Sequence, residues 1–133
     1  MIQSDSSMPI VASKYRGTRE YLLAYAELIR AAQYRGAMTY QEIAAIMGLP
    51  LKGSYMGSQV GWILGEISDD EQQRSRPMLS AVAVGVSGKP GSGFFVLARQ
   101  LGKLGKGTKE DEHKFWLQER EAVYKTWQKR VGK

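Results

Sequence analysis

The segment from Gly53 to Ile67 constrains this chain more than any other, because it combines an apolar stripe with regularly spaced glycines. Drawn as a helix at about 100° per residue, its large apolar side chains share one side, which predicts an amphipathic helix facing a core. They are Met56, Val60, Ile63, Leu64 and Ile67. Beside them lie Gly53, Gly57, Gly61 and Gly65. Because an interior glycine costs about 1 kcal/mol relative to alanine, we interpret the series as a surface for close packing of another backbone, with direct ligand contact as the alternative.

The remaining face of this helix carries Tyr55, Ser58, Gln59 and Trp62. Hydroxyl, amide and indole groups are the ones that reach phosphates and base edges when a helix lies in a nucleic-acid groove. The alternative is that Tyr55 and Trp62 bury against the first helix or the N-terminal tail, as aromatic side chains commonly do. The sequence leaves both interpretations open.

Two helices are predicted before this segment. Thr18 is placed to cap the first, whose apolar positions include Leu22, and Gly36 is placed to end it. Thr39 and Glu42 form a capping-box pattern for the second, a short helix that Gly48 ends. A short capped helix, a turn and an amphipathic helix are the order of a helix-turn-helix, although this turn is a little long.

The second half of the chain divides into five predicted segments. The order along the chain is an acidic turn at Asp69–Glu71, a buried strand over Met78–Val86, a glycine-rich turn at Ser87–Gly93, a strand or helix start at Phe94–Ala98, and an amphipathic helix over Lys109–Val131. A strand followed by a basic, glycine-rich loop after a helix-turn-helix resembles a wing.

We therefore predict one α+β domain over residues 18–133, mostly helical, with a helix-turn-helix or winged-helix-like core and a two- or three-stranded sheet. Residues 1–17 are polar and serine-rich, and we expect them to form a mobile tail. The chain has neither a signal-peptide pattern nor an apolar run of about 18 residues, so we expect a cytoplasmic protein that does not enter a membrane.

The excess positive charge is concentrated in one segment of the chain. The chain has a net charge of +6, and residues 72–109 hold seven cations and no acid. These cations are Arg74, Arg76, Lys89, Arg99, Lys103, Lys106 and Lys109. Such a segment suits a polyanion, because each cation set against a phosphate releases condensed counterions. A solvated basic surface is the alternative.

Several of these segments together resemble a known family. They are Thr39–Ala44, the helix Gly57–Gly65, Pro77–Leu79, the pair Ser87–Gly88, and Gly93–Phe95. Between residue 38 and about residue 101, the chain resembles the DNA-binding domain of O6-alkylguanine-DNA alkyltransferases and alkyltransferase-like proteins. In that family the matching helix enters the minor groove, and a residue near its start helps to flip a damaged base. The resemblance implies that Tyr55, Ser58 and Gln59 face the groove.

The chain also departs from that family. A Pro-Cys-His-Arg segment forms the pocket there, whereas Leu79–Val84 contains none of these residues. The sequence has no cysteine at all, which excludes alkyl transfer to a thiol.

From these observations we predict a non-enzymatic protein that binds nucleic acid, with double-stranded DNA as the expected partner and neither cofactor nor metal. The predicted contact residues are Lys52, Tyr55, Ser58, Gln59, Trp62, Arg74, Arg76, Lys89, Lys103, Lys106 and Lys109. One alternative is a metal-dependent nuclease using Asp69–Glu71 or Glu110–His113, although Thr108 and Asp111 have the pattern of a helix cap. Another is an adaptor that binds a protein partner, and a homodimer is also compatible with the sequence.

Overall fold

A computed structural model describes residues 9–129 of the chain. The described helices and strands are α1 (Arg19–Gln33), β1 (Met38–Thr39), α2 (Tyr40–Met47), α3 (Ser54–Gln73), a 3-10 helix (Leu79–Val82), β2 (Ala83–Val84), α4 (Ser92–Gln100) and α5 (Lys109–Trp127). The prediction of a mostly helical α+β fold with a small sheet is confirmed. The last four residues of the predicted domain lie outside the described part.

The sheet consists of β1 and β2, which run parallel with Met38 opposite Ala83 and Thr39 opposite Val84. The predicted strand over residues 78–86 is therefore only two residues long. Side chains of α3 and α5 take the backbone groups that a longer strand would have paired: the N–H groups of Met78 and Ser80 donate to Glu119 and Ser68, and the carbonyl of Ala81 accepts from the Trp116 indole.

No strand follows β2 in residues 85–129, so the predicted wing has no returning strand. Phe94–Ala98, for which the sequence left strand and helix open, belongs to α4. Phe94, Leu97 and Ala98 are buried at helical spacing, so a helix places all three in the core. The loop before α4 is closed by a hydrogen bond of 2.9 Å from the Gly85 N–H to the Lys89 carbonyl.

The predicted N-terminal caps of α1 and α2 and the glycine end of α2 are confirmed. The Thr18 side chain accepts from the Tyr21 N–H, Thr39 and Glu42 form a capping box, and Gly48 ends α2 with a left-handed φ of 72°. α1 ends at Gln33, three residues before the predicted glycine stop, because Arg35 rather than Gly36 adopts the left-handed conformation.

The core lies between α1, α3, α5 and the 3-10 helix, where Leu28, Ile63, Ile67, Leu79 and Val123 are completely buried. α3 continues to Gln73, six residues past its predicted end. The predicted acidic turn at residues 69–71 is therefore wrong. Both Asp69 and Glu71 are completely buried within the helix, where they have specific hydrogen-bond partners.

The partners of these acids include residues 10–16, which we call the strap. The carboxylate of Glu66 accepts the backbone N–H groups of Lys14, Tyr15 and Arg16 at 2.8–3.2 Å. Asp69 accepts those of Ile10 and Val11 at 2.7 and 2.8 Å. Residues 10–16 of the predicted mobile tail are thus hydrogen-bonded to α3, because its carboxylates satisfy their backbone donors. Residues 1–8 lie outside the described part.

Arg16, the last residue of the strap, joins it to α3 through its side chain. Its guanidinium donates to Asp70 at 2.9 Å and to Asp69 at 3.0 Å, and also to the Val11 carbonyl at 2.6 Å. The arginine side chain is 17% exposed and that of Asp69 is fully buried. The ion pairs therefore lie where water screens them little.

Two tyrosines of α1 also donate hydrogen bonds to carboxylates of α3, and from these contacts we expect a loss of stability at alkaline pH. Tyr21 donates to Asp70, and Tyr25 donates to Glu71. Burial raises the pKa of both hydroxyls, and the hydrogen bonds to the carboxylates raise it further. Since the folded pKa exceeds the unfolded value of about 10, this contribution is complete below pH ~10 and is lost as pH rises above it.

We expect the free energy of unfolding, measured by urea denaturation, to fall above pH ~10 by at most about 1.4 kcal/mol per pH unit for each tyrosine. Tyr21→Phe should reduce this slope, whereas Tyr55→Phe, on an exposed side chain, should leave it unchanged. Equal slopes in the two variants would contradict the assignment to Tyr21.

Candidate nucleic-acid interface

A cleft of about 370 Å³ lies between α3 and the first turn of α4. One side is formed by Gly57, Gly61 and Gly65 of α3, together with the side chains of Val60 and Leu64. The rest of its lining comes from Tyr40, Ser80, Gly91, Ser92, Gly93, Phe94 and Leu97. The lining is mostly apolar, with hydroxyl groups among the few polar atoms.

The glycine series of α3 keeps this cleft open. A methyl group added at Gly57 or Gly61 would have no atom of another element within 4 Å, and at Gly65 it would meet only the Val11 side chain, at 3.6 Å. The interpretation of the glycines as a surface for close backbone packing is therefore wrong. The glycine face is the open side of the helix, which leaves direct ligand contact as the alternative.

Tyr40 holds the edge of the cleft in place. Its hydroxyl accepts the backbone N–H of Gly91 at 2.6 Å, which ties the start of α2 to the start of α4. Burial raises the pKa of this hydroxyl. We did not predict Tyr40 as a site residue, because neither periodicity nor charge distinguishes it. The only signal was its place in the segment Thr39–Ala44 that carries the family resemblance.

The two helices beside the cleft differ from the others at their N-termini. α3 begins after Gly53 and α4 after Gly91, and neither has a side-chain cap or an acid in its first turn. The other three α-helices, α1, α2 and α5, are capped by Thr18, Thr39 and Thr108 and have acids in their first turns. The N–H groups of an uncapped first turn have no intrahelical acceptor, so they form a site that favours anions.

Three of the predicted basic contacts lie close to these helix starts. Lys52 precedes α3 and is exposed. Lys89 and Lys109 are also exposed, and they line a second cleft of about 280 Å³ that shares Ser92 with the first. None of the three lysines forms an ion pair within residues 9–129. Their charges are therefore available to an anionic ligand.

Lys106 and Arg74 are exposed and likewise form no ion pair in the described part of the chain. Lys106 lies in the loop between α4 and α5. Arg74 follows α3 and donates to the backbone carbonyl of Asp70 at 3.4 Å. Neither residue lines the two clefts.

Other basic side chains predicted to contact nucleic acid are paired with acidic side chains of the protein itself. Arg76 pairs with the buried Glu71 at 2.7 Å and lies over the Trp127 ring. Lys103 pairs with Glu119 at 3.0 Å. Arg99, another cation of the basic segment, pairs with Glu112 at 2.8 Å. The basic segment therefore carries less free charge than its sequence indicates.

The polar face of α3 is partly covered by the strap. The Trp62 indole donates to the Ala12 carbonyl at 2.9 Å, and the Lys14 ammonium lies 4.9 Å from its ring centre. Gln59, 7% exposed, accepts from Lys14 at 2.6 Å and from the Tyr15 hydroxyl. The structure thus places both side chains against the strap, with Gln59 buried there and Trp62 still 38% exposed.

Tyr55 and Ser58, the other two predicted contacts on that face, are exposed. Tyr55 is 58% exposed, and the Ser58 hydroxyl donates to its carbonyl at 3.0 Å. Both lie in the first two turns of α3, next to the uncapped helix start. They are accessible to a ligand that approaches there.

The acidic residues considered for a nuclease have other roles here. Thr108 and Asp111 form the predicted capping box, and hydrogen bonds from Thr108 lower the pKa of the Asp111 carboxyl. Glu112 pairs with Arg99, and the His113 ring lies 5.6 Å from that of Trp116. Within residues 9–129, no group of three histidine, cysteine or acidic residues is placed to hold a metal ion.

Comparison with models of protein families, with curated proteins and with solved structures gives no match for this chain. Among the described helices, none combines the length and hydropathy needed to cross a membrane.

Proposed function

We propose that this protein binds double-stranded DNA without catalysing a reaction on it. The proposed contact surface, called the cleft surface below, comprises the cleft, the first turns of α3 and α4, and Lys52, Lys89 and Lys109. The observation that carries the proposal is that one cleft lies between the glycine side of α3 and the uncapped start of α4, with the uncapped start of α3 one turn before its first lining residue.

The electrostatics of the cleft surface suit phosphate groups. The free N–H groups of each helix start and the positive end of each helix dipole favour an anion. Lys52 lies beside the first of these starts and Lys89 beside the second, and both are exposed and free of ion pairs. Phosphate contacts of this kind position a protein on a duplex without reading its sequence.

The cleft itself suits a flat, largely apolar group. Phe94 and Leu97 supply apolar contacts on one side, and the glycine backbone of α3, with Val60, forms the other. A base turned out of the duplex has this shape, and the exposed Ser92 hydroxyl is available to polar atoms on its edge. Base flipping is also what the resemblance to alkyltransferase-like domains implies. In this proposal α2 and α3 act as the helix-turn-helix, and the loop before α4 takes the place of a wing.

The test is a titration of a fluorescent duplex of about two helical turns with the purified protein, followed by anisotropy at several salt concentrations. We expect the logarithm of the association constant to fall linearly with the logarithm of salt, by about 0.9 for each phosphate contact. Parallel samples with Mg²⁺, run on a gel, test for cleavage. Absence of binding at low salt would contradict the proposal, and cleaved DNA would favour the nuclease alternative.

Single lysine substitutions test where the DNA binds. Lys89→Ala and Lys109→Ala should each reduce the salt slope by about 0.9 and weaken binding by about three- to tenfold. Lys125→Ala is the control, because this exposed lysine lies about 24 Å along α5 from Lys109. Lys103→Ala should leave the slope unchanged, since its ammonium is paired with Glu119. An unchanged slope in the first two variants would remove them from the interface.

A further inference from the structure

α1 and Tyr34, the residue that follows it, expose apolar side chains, and the Tyr34 hydroxyl also accepts a hydrogen bond from the Lys129 ammonium at 3.2 Å. Leu22 and Tyr34 are each 64% exposed and Leu23 is 38% exposed. Leu22 is among the apolar positions of the predicted helix, but α1 buries another side, through Tyr21, Ala24, Leu28 and Ala32. At about 100° per residue, Leu23 and Tyr34 share one edge, whereas Leu22 lies about 100° away from it. Exposed apolar side chains on one helix edge are typical of an interaction surface.

This edge forms a ridge between two shallow grooves. One groove runs between α1 and α2 and includes Ile46. The other lies along α1 on the side of Ile29. Glu27, Arg30 and Tyr34 line both grooves, so they form the ridge. A ridge flanked by grooves is the shape that packs against a second helix.

The two charges in the middle of the ridge are unpaired. Glu27 and Arg30 are exposed, and within residues 9–129 neither has an ion-pair partner. They are also symmetrically placed. Leu23 and Tyr34 lie equally far along the helix from the midpoint between Glu27 and Arg30. The ridge is therefore complementary to a copy of itself that runs in the opposite direction.

The geometry points to a homodimer in which α1 packs antiparallel against α1 of a second copy. A twofold axis between Glu27 and Arg30 brings Glu27 of each copy to Arg30 of the other, and Leu23 to Tyr34 of the other. Such an interface uses the same surface twice, as twofold dimers do. The self-complementary order of charges favours a second copy over a different protein. The inference is independent of the proposed function, since the ridge shares no residue with the cleft surface.

Sedimentation velocity over a range of protein concentrations, from low micromolar to several hundred micromolar, tests the dimer. Glu27→Arg and Arg30→Glu should each weaken dimerisation by about 10- to 100-fold, because each places like charges together at two symmetric positions. Mixing the two variants should restore the dimer, since every charge then meets an opposite one. Glu110→Arg and Lys125→Glu are the matched controls, because they change exposed charges on α5 by the same amounts.

Recovery of the dimer in the mixture also shows that both variants fold. A wild-type chain that stays monomeric over the whole concentration range would overturn the inference. So would a dimer that neither charge reversal weakens, because its interface would then lie elsewhere. Duplex binding measured on the same variants keeps the two proposals separate, since a loss of dimer without a loss of DNA contacts concerns only the ridge.

Discussion

Replacing Arg16 by alanine should lower the free energy of unfolding by about 3–5 kcal/mol, the usual cost of removing one partner from a buried ion pair. The substitution leaves the completely buried Asp69 and its neighbour Asp70 without their cation. It also removes the hydrogen bond to the Val11 carbonyl that closes the strap on itself. Urea denaturation followed by circular dichroism measures the change.

The matched control is Arg35→Ala. Arg35 also forms a two-pronged ion pair, with Glu121 at 2.9 Å, but both side chains are nearly half exposed. An exposed pair of this kind contributes below about 1 kcal/mol, because water and salt screen it. Losses of similar size in the two variants would show that the strap adds little to the stability of the fold.

The second large effect concerns the cleft, where stability and binding should change in opposite directions. The double variant Gly57→Ala, Gly61→Ala should raise the free energy of unfolding by about 2 kcal/mol, because each alanine favours the helix and its methyl group meets nothing. The same methyl groups project into the proposed base site. A misplaced methyl group costs about 1–3 kcal/mol in a fitted pocket, so duplex binding should weaken about tenfold or more.

Thr126→Ala is a suitable control for this variant. It raises helix propensity at an exposed position of α5 and changes nothing in the cleft. It should therefore stabilise the protein by a few tenths of a kcal/mol and leave DNA affinity unchanged. A stabilised glycine variant that still binds DNA normally would move the proposed site away from the cleft. A destabilised one would mean that the glycines are required by the fold itself.

Local patterns predicted much of the secondary structure. Thr18, the Thr39–Glu42 box and Gly48 act through hydrogen bonds or backbone angles within a few residues, so a sequence shows them directly. The strand predicted at residues 78–86 failed for a different reason. A buried apolar run looks the same whether its backbone pairs with a strand or with side chains, and here Glu119, more than thirty residues away, takes one of the donors.

The candidate site was only half predictable. A helical projection shows which residues share a face, but it does not show what each face meets in the fold. We interpreted the glycine face of α3 as a packing surface and left its polar face open between a ligand and the N-terminal tail. In the structure, Gln59 and Trp62 contact the strap and the glycines face an open cleft. The position of the strap could not be predicted from the sequence. Its contacts with Glu66 and Asp69 are made by backbone N–H groups, which every residue except proline has.

Because these contacts are made by backbone N–H groups, the sequence of the strap can vary widely in evolution. Five of the contacts between the strap and the carboxylates of α3 come from main-chain amides, so they survive almost any exchange of side chain at the donor positions. Proline is the exception at each of them. Related chains could therefore differ widely along residues 10–15 and still close the strap in the same way, provided that an arginine stands at position 16 and acids stand opposite it.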